Sequence, residues 1–341
     1  MKIHSIGIDL GKTTFHLVAL GEHGKILLKK KLSRKQLLAL TANLPTSRIG
    51  LEACSGSHFL ARALREQGHD ARLIPAQFVK PFLKSNKNDF LDAEAIAEAA
   101  ERENMRFVPI KTDDQLDLQA LHRVRERLVS RRTAVINQIR AFLLERGITF
   151  RKGASSLRGQ MAEILENGDA PLSPRIRSLL AMMWGEWKQL DEQVESFNTQ
   201  IEAIGSGDAA CQRLREIPGV GPLIASAVVA SIGNGAAFRK GREFAAWLGL
   251  IPKQYSTGGK VKLLGISKRG NRYLRTMFIH GARSLVLRVN REHSPMGGWI
   301  SSLEARAHRN VVIVAMAHKL ARITWAVLSS GERYCPALMA A

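Results

Sequence analysis

The side chains whose placement allows chemistry are first of all four acids: Asp9, Glu52, Asp89 and Asp92. Asp9 closes an apolar run at residues 3–10, and a carboxylate in such a strand is costly unless it is paired or holds a metal. Its bland reading is a turn cap. Glu52 ends a second run, residues 48–53 (RIGLEA). Asp89 and Asp92 are three residues apart in an Ala/Glu/Leu-rich stretch, so a helix there puts both on one face. Like charges at that spacing repel unless a cation lies between them. Taken as an isolated pair they equally suit a solvated helix N-terminus, where acids favour the dipole. Together the four suit hard cations, and two Mg²⁺ ions about 4 Å apart clamp the attacking and leaving oxygens of a phosphodiester. No His/Cys cluster has zinc spacing.

A fifth candidate is Ser256, within residues 251–275, IPKQYSTGGKVKLLGISKRGNRYLR. Residues 251–291 hold Lys253, Lys260, Lys262, Lys268, Arg269, Arg272, Arg275, Arg283, Arg288 and Arg291, and no Asp or Glu. A loop serine among cations, beside Gly258-Gly259, is placed as a nucleophile for phosphoryl transfer. It has no neighbouring His base, so a plain turn residue is the alternative. Upstream, IPGVGP separates two helical runs, as in a helix–hairpin–helix whose glycines, Gly219 and Gly221, and following helix offer amides to a phosphate. A helix hairpin without ligand explains the same residues.

Charge says what such a site acts on. Lys plus Arg number 51 against 30 Asp plus Glu in 341 residues, a net charge of +21 that fits a polyanion partner. Three scattered cysteines (Cys54, Cys211, Cys335) fit neither a disulfide framework nor a zinc site, so a reducing, cytoplasmic compartment is expected, with nucleoid association. The apolar run 311–317 is stopped by His318-Lys319, too short for a bilayer, so no membrane partner is expected.

The elements that must position these residues follow from periodicity. Residues 3–10, 15–20 and 26–32 read as strands, with a hairpin turn at 21–24 and Ser33 as a helix N-cap. Strand 48–53, helix 57–67 and strand 71–74 complete an α/β domain with a mixed sheet, expected over 1–110. A helical, coiled-coil region is expected over 111–205. Leu121, Val124, Leu128, Val135, Ile139 and Phe142 stripe its first helix, while Arg123, Arg125, Arg127, Arg131, Arg132 and Arg140 cover other faces, solvated or on nucleic acid. Its second helix starts at Ser173-Pro174 and carries Ile176, Leu180, Met183, Trp187, Leu190, Val194, Phe197, Ile201 and Ile204, alternating three and four apart. That heptad seam needs a partner, the first helix or a second subunit, and self-association is the favoured reading. A mainly helical domain is expected over 206–341.

The opening Asp-x-Gly-Lys-Thr-Thr also looks like the phosphate loop of sugar kinases and actin-like ATPases, but no second strand–Asp–x–Gly follows. A strand Asp, a strand Glu and a helical Asp-x-x-Asp instead resemble the RuvC-like branch of the ribonuclease H fold. GIDLGKTTFH, GLEACSGSH, KNDFLDAEAIAEA, IPGVGP and the 251–275 segment together resemble, in order and spacing, the insertion-sequence one-ten family of DEDD transposases. The resemblance implies a RuvC-like domain, a coiled coil and a C-terminal transposase domain. It places the metal-binding acids on Asp9, Glu52, Asp89 and Asp92 and the nucleophile on Ser256. Many relatives have Ser-Ser where this chain has Ser256-Thr257. It further implies a recombinase of double-stranded donor and target DNA, guided by a structured bridge RNA, with a composite site shared in a dimer or tetramer. Two other classes remain at this level: an unguided structure-selective nuclease with Ser256 as a phosphate contact, and a non-enzymatic nucleic-acid-binding protein.

Overall fold

The computed structural model describes residues 2–83, 88–294 and 296–336. The first four residues of the stretch 84–100 and the last five of the tail lie outside the described residues. The chain divides into two compact units, Met1–Thr112 and Asp113–Ala341.

In the first unit β1 (Ser5–Leu10), β2 (Thr14–Leu20) and β3 (Ile26–Ser33) form an antiparallel meander. A single 3₁₀ turn, Glu22–Gly24, joins β2 to β3. Ser33 then caps α1 (Arg34–Ala42) in a full capping box with Gln36, which ends the strand and starts the helix in one residue. β4 (Arg48–Glu52), α2 (Ser57–Glu66), β5 (Asp70–Ile74), the one-turn α3 (Ala76–Val79) and α4 (Asp89–Ala100) follow. The sheet order is β3-β2-β1-β4-β5, with β4 and β5 parallel to β1, the expected mixed sheet.

Both faces of the sheet are covered, because successive side chains alternate. Leu17 and Ala19 pack in one cluster with Leu37, Leu60 and Leu64 of α1 and α2, whereas Val18 and Leu20 pack with Ala93 and Ala97 of α4. α4 lies against the strands because two glycines make room for it. A Cβ on Gly7 would stand 1.9 Å from the Ala93 carbonyl oxygen, and one on Gly50 would stand 2.9 Å from that of Ile96. Gly7 and Gly50 are register partners on β1 and β4, so they form one bare patch under the alanines of α4.

The second unit contains α5 (Asp113–Leu144), α6 (Ala154–Glu166), α7 (Pro174–Gly207), α8 (Ala209–Arg215), α9 (Pro222–Ile232) and α10 (Gly241–Trp247). A hairpin of β6 (Pro252–Thr257) and β7 (Lys260–Ile266) comes next, then α11 (Arg272–Arg288), α12 (Gly297–Glu304) and α13 (Arg309–Ser330). The α7 seam is buried within the chain: Ile176, Leu180, Met183, Trp187, Leu190 and Val194 share a cluster with Leu128, Val135, Ile139 and Leu143 of α5. α5 is thus the partner of the seam from Ile176 to Val194, the alternative offered beside self-association, while Ile204 at its far end is 46% exposed. Of the arginines on α5, Arg125 donates to Asn198, Arg131 and Arg132 pair with Glu186 and Asp191, and Arg140 donates to the Arg151 carbonyl. These four have partners within the chain, Arg131 and Arg140 at its surface.

A buried polar network ties α5 to α9 and α11. Ser226 Oγ donates to the Pro222 carbonyl oxygen at 2.7 Å, so its contact with His122 Nε2 at 3.1 Å must use the imidazole proton. Nδ1 then accepts from the Tyr273 hydroxyl at 3.0 Å, which makes His122 a neutral Nε2–H tautomer. Burial, and then Arg125, lower its pKa to about 4, in agreement.

α13 corrects the reading of run 311–317. The helix continues to Ser330, with a mean hydropathy of 1.6 over its most apolar 18 residues, so by length and composition it is long enough to cross a membrane. Here Val312, Ile313, Met316, Leu320 and Val327 of it are buried in the core of this unit.

Candidate active site

Asp9 is carried to the end of β1, opposite His16 on β2. Asn88 caps α4 by accepting from the Phe90 amide, and Asp89 and Asp92 occupy the first turn. With α4 seated on Gly7, the carboxylates of Asp9, Asp89 and Asp92 have oxygens within 4.8 Å of one another. Glu52 sits at the end of β4 and is not in that group of three, although its charge reaches Asp9. Burial raises the Asp9 pKa first, then the charges of Asp92 and Asp89; His16 opposes them and Glu52 adds to them. Carboxylates forced together in this way repel one another, and a hard divalent cation with oxygen ligands fits the donor set.

His16 is a site residue that the sequence reading passed over. Its ring is buried, with Nδ1 3.6 Å from Asp89 Oδ2, and it meets Phe90 edge-on with centroids 4.7 Å apart. The signal was available: in an antiparallel pair the residue opposite Asp9 shares its face. Gly11 lies in the turn that joins β1 to β2. A Cβ there would stand 2.4 Å from the Thr14 carbonyl oxygen, so the tight turn excludes a side chain. Cys54, nearby, is a poor nucleophile, because burial and then Glu52 and Asp9 raise its thiol pKa.

Ser256 stands on β6, not on a loop. Gly258 and Gly259, at φ 53° and 77°, form a tight turn, and Ser256 pairs with Val261. Its Oγ accepts from Gln254 Nε2 at 2.7 Å. Cross-strand partners share a face, so Gln254, Ser256, Val261 and Leu263 lie on one side of the ribbon. Tyr255 and Lys262, with Thr257 and Lys260, lie on the other. The expectation of a serine surrounded by cations is thereby corrected: Lys260 and Lys262 face away from it.

The hairpin is exposed, but its base is clasped. The Ser267 amide donates to the Ile251 carbonyl oxygen at 2.8 Å and that of Lys268 to Gly249 at 3.1 Å. A Cβ on Gly270 would stand 1.7 Å from the Trp247 carbonyl oxygen. Arg275 completes the clasp, donating from Nη1 to the carbonyls of Leu248 at 2.9 Å and Arg269 at 2.8 Å. It is buried, which corrects its assignment as a nucleic-acid contact: its guanidinium is used to close the hairpin base. Lys253, Lys260, Lys262, Lys268, Arg269 and Arg272 are exposed.

At the α8–α9 turn the two glycines differ. Gly219, at φ +88°, backs onto α11: a Cβ on Gly281 would stand 2.2 Å from its carbonyl oxygen. That contact requires glycine at 281; a Cβ on Gly219 itself would stand 3.2 Å from the Gly281 carbonyl oxygen, so at 219 the positive φ is the stronger demand for glycine. Gly221 is exposed, with open space where a Cβ would be, and precedes Pro222 at the start of α9.

Known proteins resemble this chain over nearly its full length. A DEDD transposase model of the IS110 type matches residues 6–147, and a model described as transposase IS116/IS110/IS902 family matches 211–295. A probable family 20 transposase of Pseudomonas aeruginosa is 44% identical over 98% of this chain and 100% of its own length. The transposase for insertion sequence element IS1328 of Yersinia enterocolitica is 43% identical over 96% of this chain and 97% of its own. That for IS1111A of Coxiella burnetii is 41% identical over 97% and 91%.

Proposed function

The chain belongs to the IS116/IS110/IS902 family of insertion-sequence transposases, DNA-cleaving and strand-transferring enzymes, and from that membership we propose an RNA-guided DNA recombinase working through a covalent phosphoserine. The observation that carries the reading is the convergence of Asp9, Asp89 and Asp92 within 4.8 Å from a strand and a helix some eighty residues apart in sequence. The strand order, with the acids at the ends of β1 and β4 and on α4, supports a RuvC-like ribonuclease H fold for residues 1–110.

In this reading Asp9, Asp89 and Asp92, joined by Glu52, hold Mg²⁺, two ions in all. Metal held there would supply positive charge to the attacking and leaving oxygens of the phosphodiester. Ser256 Oγ gives up its proton and bonds to phosphorus, and the P–O bond to one sugar breaks with a proton returned to that sugar oxygen. Attack by a hydroxyl of the exchanging strand reverses the step and frees the serine. Residues 111–205, with the α5–α7 pair as the coiled coil, and 206–341, with the α8–α9 turn as a helix–hairpin–helix, bind the nucleic acids. Gly221, Lys253, Lys260, Lys262, Lys268, Arg269 and Arg272 are the proposed contacts. The bridge RNA, the dimer or tetramer and the cytoplasmic, nucleoid-associated location rest on the resemblance and on the +21 charge.

The test is expression of the protein together with the DNA flanking its gene. The reading predicts one discrete, structured RNA in the purified complex. It also predicts, on supplied donor and target DNA, a protein–DNA adduct that survives denaturation and is absent in both Ser256→Ala and Asp9→Asn. Random RNA fragments overturn the guide. A second reading, hydrolysis at the acid site alone, has one observation in its favour: the Ser256 hydroxyl is engaged by Gln254, with no basic group on its face of the hairpin. It predicts cleavage without adduct and full activity in Ser256→Ala.

A further inference from the structure

A groove of about 920 Å³ lies between α13 and the hairpin strands, at the upper end of the volumes that enclose small organic groups. One wall is a single face of α13, formed by Val311, Val314, Ala315, Lys319, Arg322 and Ala326 at helical spacing. Val311 there is 56% exposed. The opposite wall is Pro252 of β6 with Leu264 and Ile266 of β7. Trp299, Trp325 and Tyr334 also line it.

The polar rim of this trough has one sign. Lys319 and Arg322, with His318 beside them, line it, and among the described residues no Asp or Glu does. Lys319 Nζ is held 5.1 Å from the centre of the Trp299 ring, so the ammonium is fixed at the rim. Lys319 and Arg322 are three residues apart, which puts them on one face about 5–6 Å from each other. Burial and then Arg322 lower the pKa of Lys319, and burial followed by Arg322 and Arg242 lowers that of His318. Among the described residues the rim carries positive charge with no carboxylate facing it.

We infer that the groove takes an unpaired segment of DNA, its bases in the apolar and aromatic trough and its phosphates on Lys319 and Arg322. Three alternatives fit the surface less well. A duplex keeps its bases stacked inside and would leave the trough unused. An apolar helix from a second copy would bury the two cations without counter-charge, which is costly. A membrane is planar, whereas the apolar surface here is concave. Unpaired strands offer both parts of the surface a partner, since every base has a face to stack and every linkage a phosphate. DNA is the source because the groove wall and Ser256 share the same strands: Ser256 is four residues along β6 from Pro252, about 13 Å at strand rise. In this respect the inference rests on the reading of Ser256 as the residue that attacks DNA.

The test uses the full chain and fluorescently labelled 12-nucleotide strands that cannot pair, with an abasic strand of equal charge, an RNA strand and a duplex beside them. The expected result is that Lys319→Glu/Arg322→Glu weakens the unpaired DNA by about tenfold or more while changing duplex affinity less. The abasic strand should bind the wild type about as weakly as intact DNA binds that variant. Lys319→Arg/Arg322→Lys keeps the charge and should retain binding, which separates lost contacts from lost folding. A photo-crosslinking residue placed at Val311 should capture the DNA strand. Equal binding of abasic and intact strands, tighter binding of RNA, or crosslinking to a second copy or to lipid each overturns the inference. If wild type binds no DNA in any form, the reading of the C-terminal unit fails instead.

Discussion

The acid cluster and the serine hairpin are built on opposite plans. Asp9, Asp89 and Asp92 come from elements far apart in sequence and meet because α4 is pressed into a two-glycine patch on buried strands. Ser256 belongs to a ribbon of fifteen residues, 252–266, whose side chains are nearly all exposed and whose base Arg275 clasps. The first site is set by the core of its unit and tolerates little change beneath it. The second is a local structure that can lose its reactive side chain without disturbing anything else. Geometry at the acids is a global property, and geometry at the serine is a local one.

The largest expected effect breaks the first plan. Gly7→Val places a branched side chain where even a Cβ meets the Ala93 carbonyl oxygen at 1.9 Å, so α4 must move or the unit must open. Overpacking of that severity costs about 3 kcal/mol or more. The matching insult to the hairpin, Gly258→Ala at φ 53° with open space around it, should cost about 1 kcal/mol. Thermal unfolding followed by circular dichroism measures both, and equal losses would remove the distinction between the two sites.

The second prediction separates the units by acid. In the second unit His122 is held neutral, its pKa lowered from 6.5 to about 4. Between those values the unfolded chain binds a proton that the folded unit refuses, so stability present above pH 6.5 is lost as pH falls towards 4. For a fully buried imidazole the loss is up to about 3 kcal/mol. In the first unit Asp9 works the other way. Its raised pKa means that the folded, metal-free unit loses stability as pH rises above the ordinary aspartate value of 3.8 and regains it in acid. His58, lowered to about 4 by burial and by Lys111 and Arg62, partly offsets this. All five tryptophans (Trp184, Trp187, Trp247, Trp299, Trp325) lie in the second unit, so their fluorescence reads that unit alone. Between pH 7 and 5 without metal, the fluorescence melting temperature should fall, and His122→Asn should flatten its pH dependence. A pH-independent fluorescence transition in the wild type would contradict the neutral-imidazole network.

Much of this was legible from the sequence, and what was missed has a common cause. Ser33, Ser173-Pro174 and the period-two runs gave the element order, because caps and alternation act within a few residues. The three aspartates were legible as residue types at helical and strand spacing. His16 was not, since its role depends on a strand register that sequence leaves open. The Gly7–Gly50 patch was missed for the same reason: each glycine looks ordinary until β1 and β4 are paired. The α7 seam announced that it needed a partner without saying which, and the chain itself supplied α5. The β6–β7 hairpin was an error of another kind. Gly-Gly between two short alternating runs is a hairpin signal, and the density of lysines obscured it.

A third prediction sharpens the contrast through metal. Because burial and the neighbouring acids raise the Asp9 pKa, Asp9→Asn removes repulsion in the metal-free protein and should raise its melting temperature by about 2 °C. Mg²⁺ should stabilise the wild type in a concentration-dependent way and leave Asp9→Asn unmoved. Asp9→Asn that is destabilised without metal would show that the carboxylate is already satisfied inside the fold.

The smallest expected effect is the most informative about the serine. Ser256→Ala removes one hydroxyl whose sole partner among the described contacts is the exposed Gln254 side chain, so stability should change by no more than about 0.5 kcal/mol. If Ser256 is the nucleophile, the same substitution should lower DNA strand transfer by about a thousandfold or more, since the bond to phosphorus can no longer form. Ser256→Cys tests the chemistry further: a thiol keeps the shape and a weaker form of the nucleophile, so a slow adduct should return where alanine gives none. The acid cluster cannot produce that pattern, because every change there alters charge balance and stability together. A Ser256→Ala protein that transfers strands at the wild-type rate would leave the hairpin as a DNA contact and place all of the chemistry at the acids.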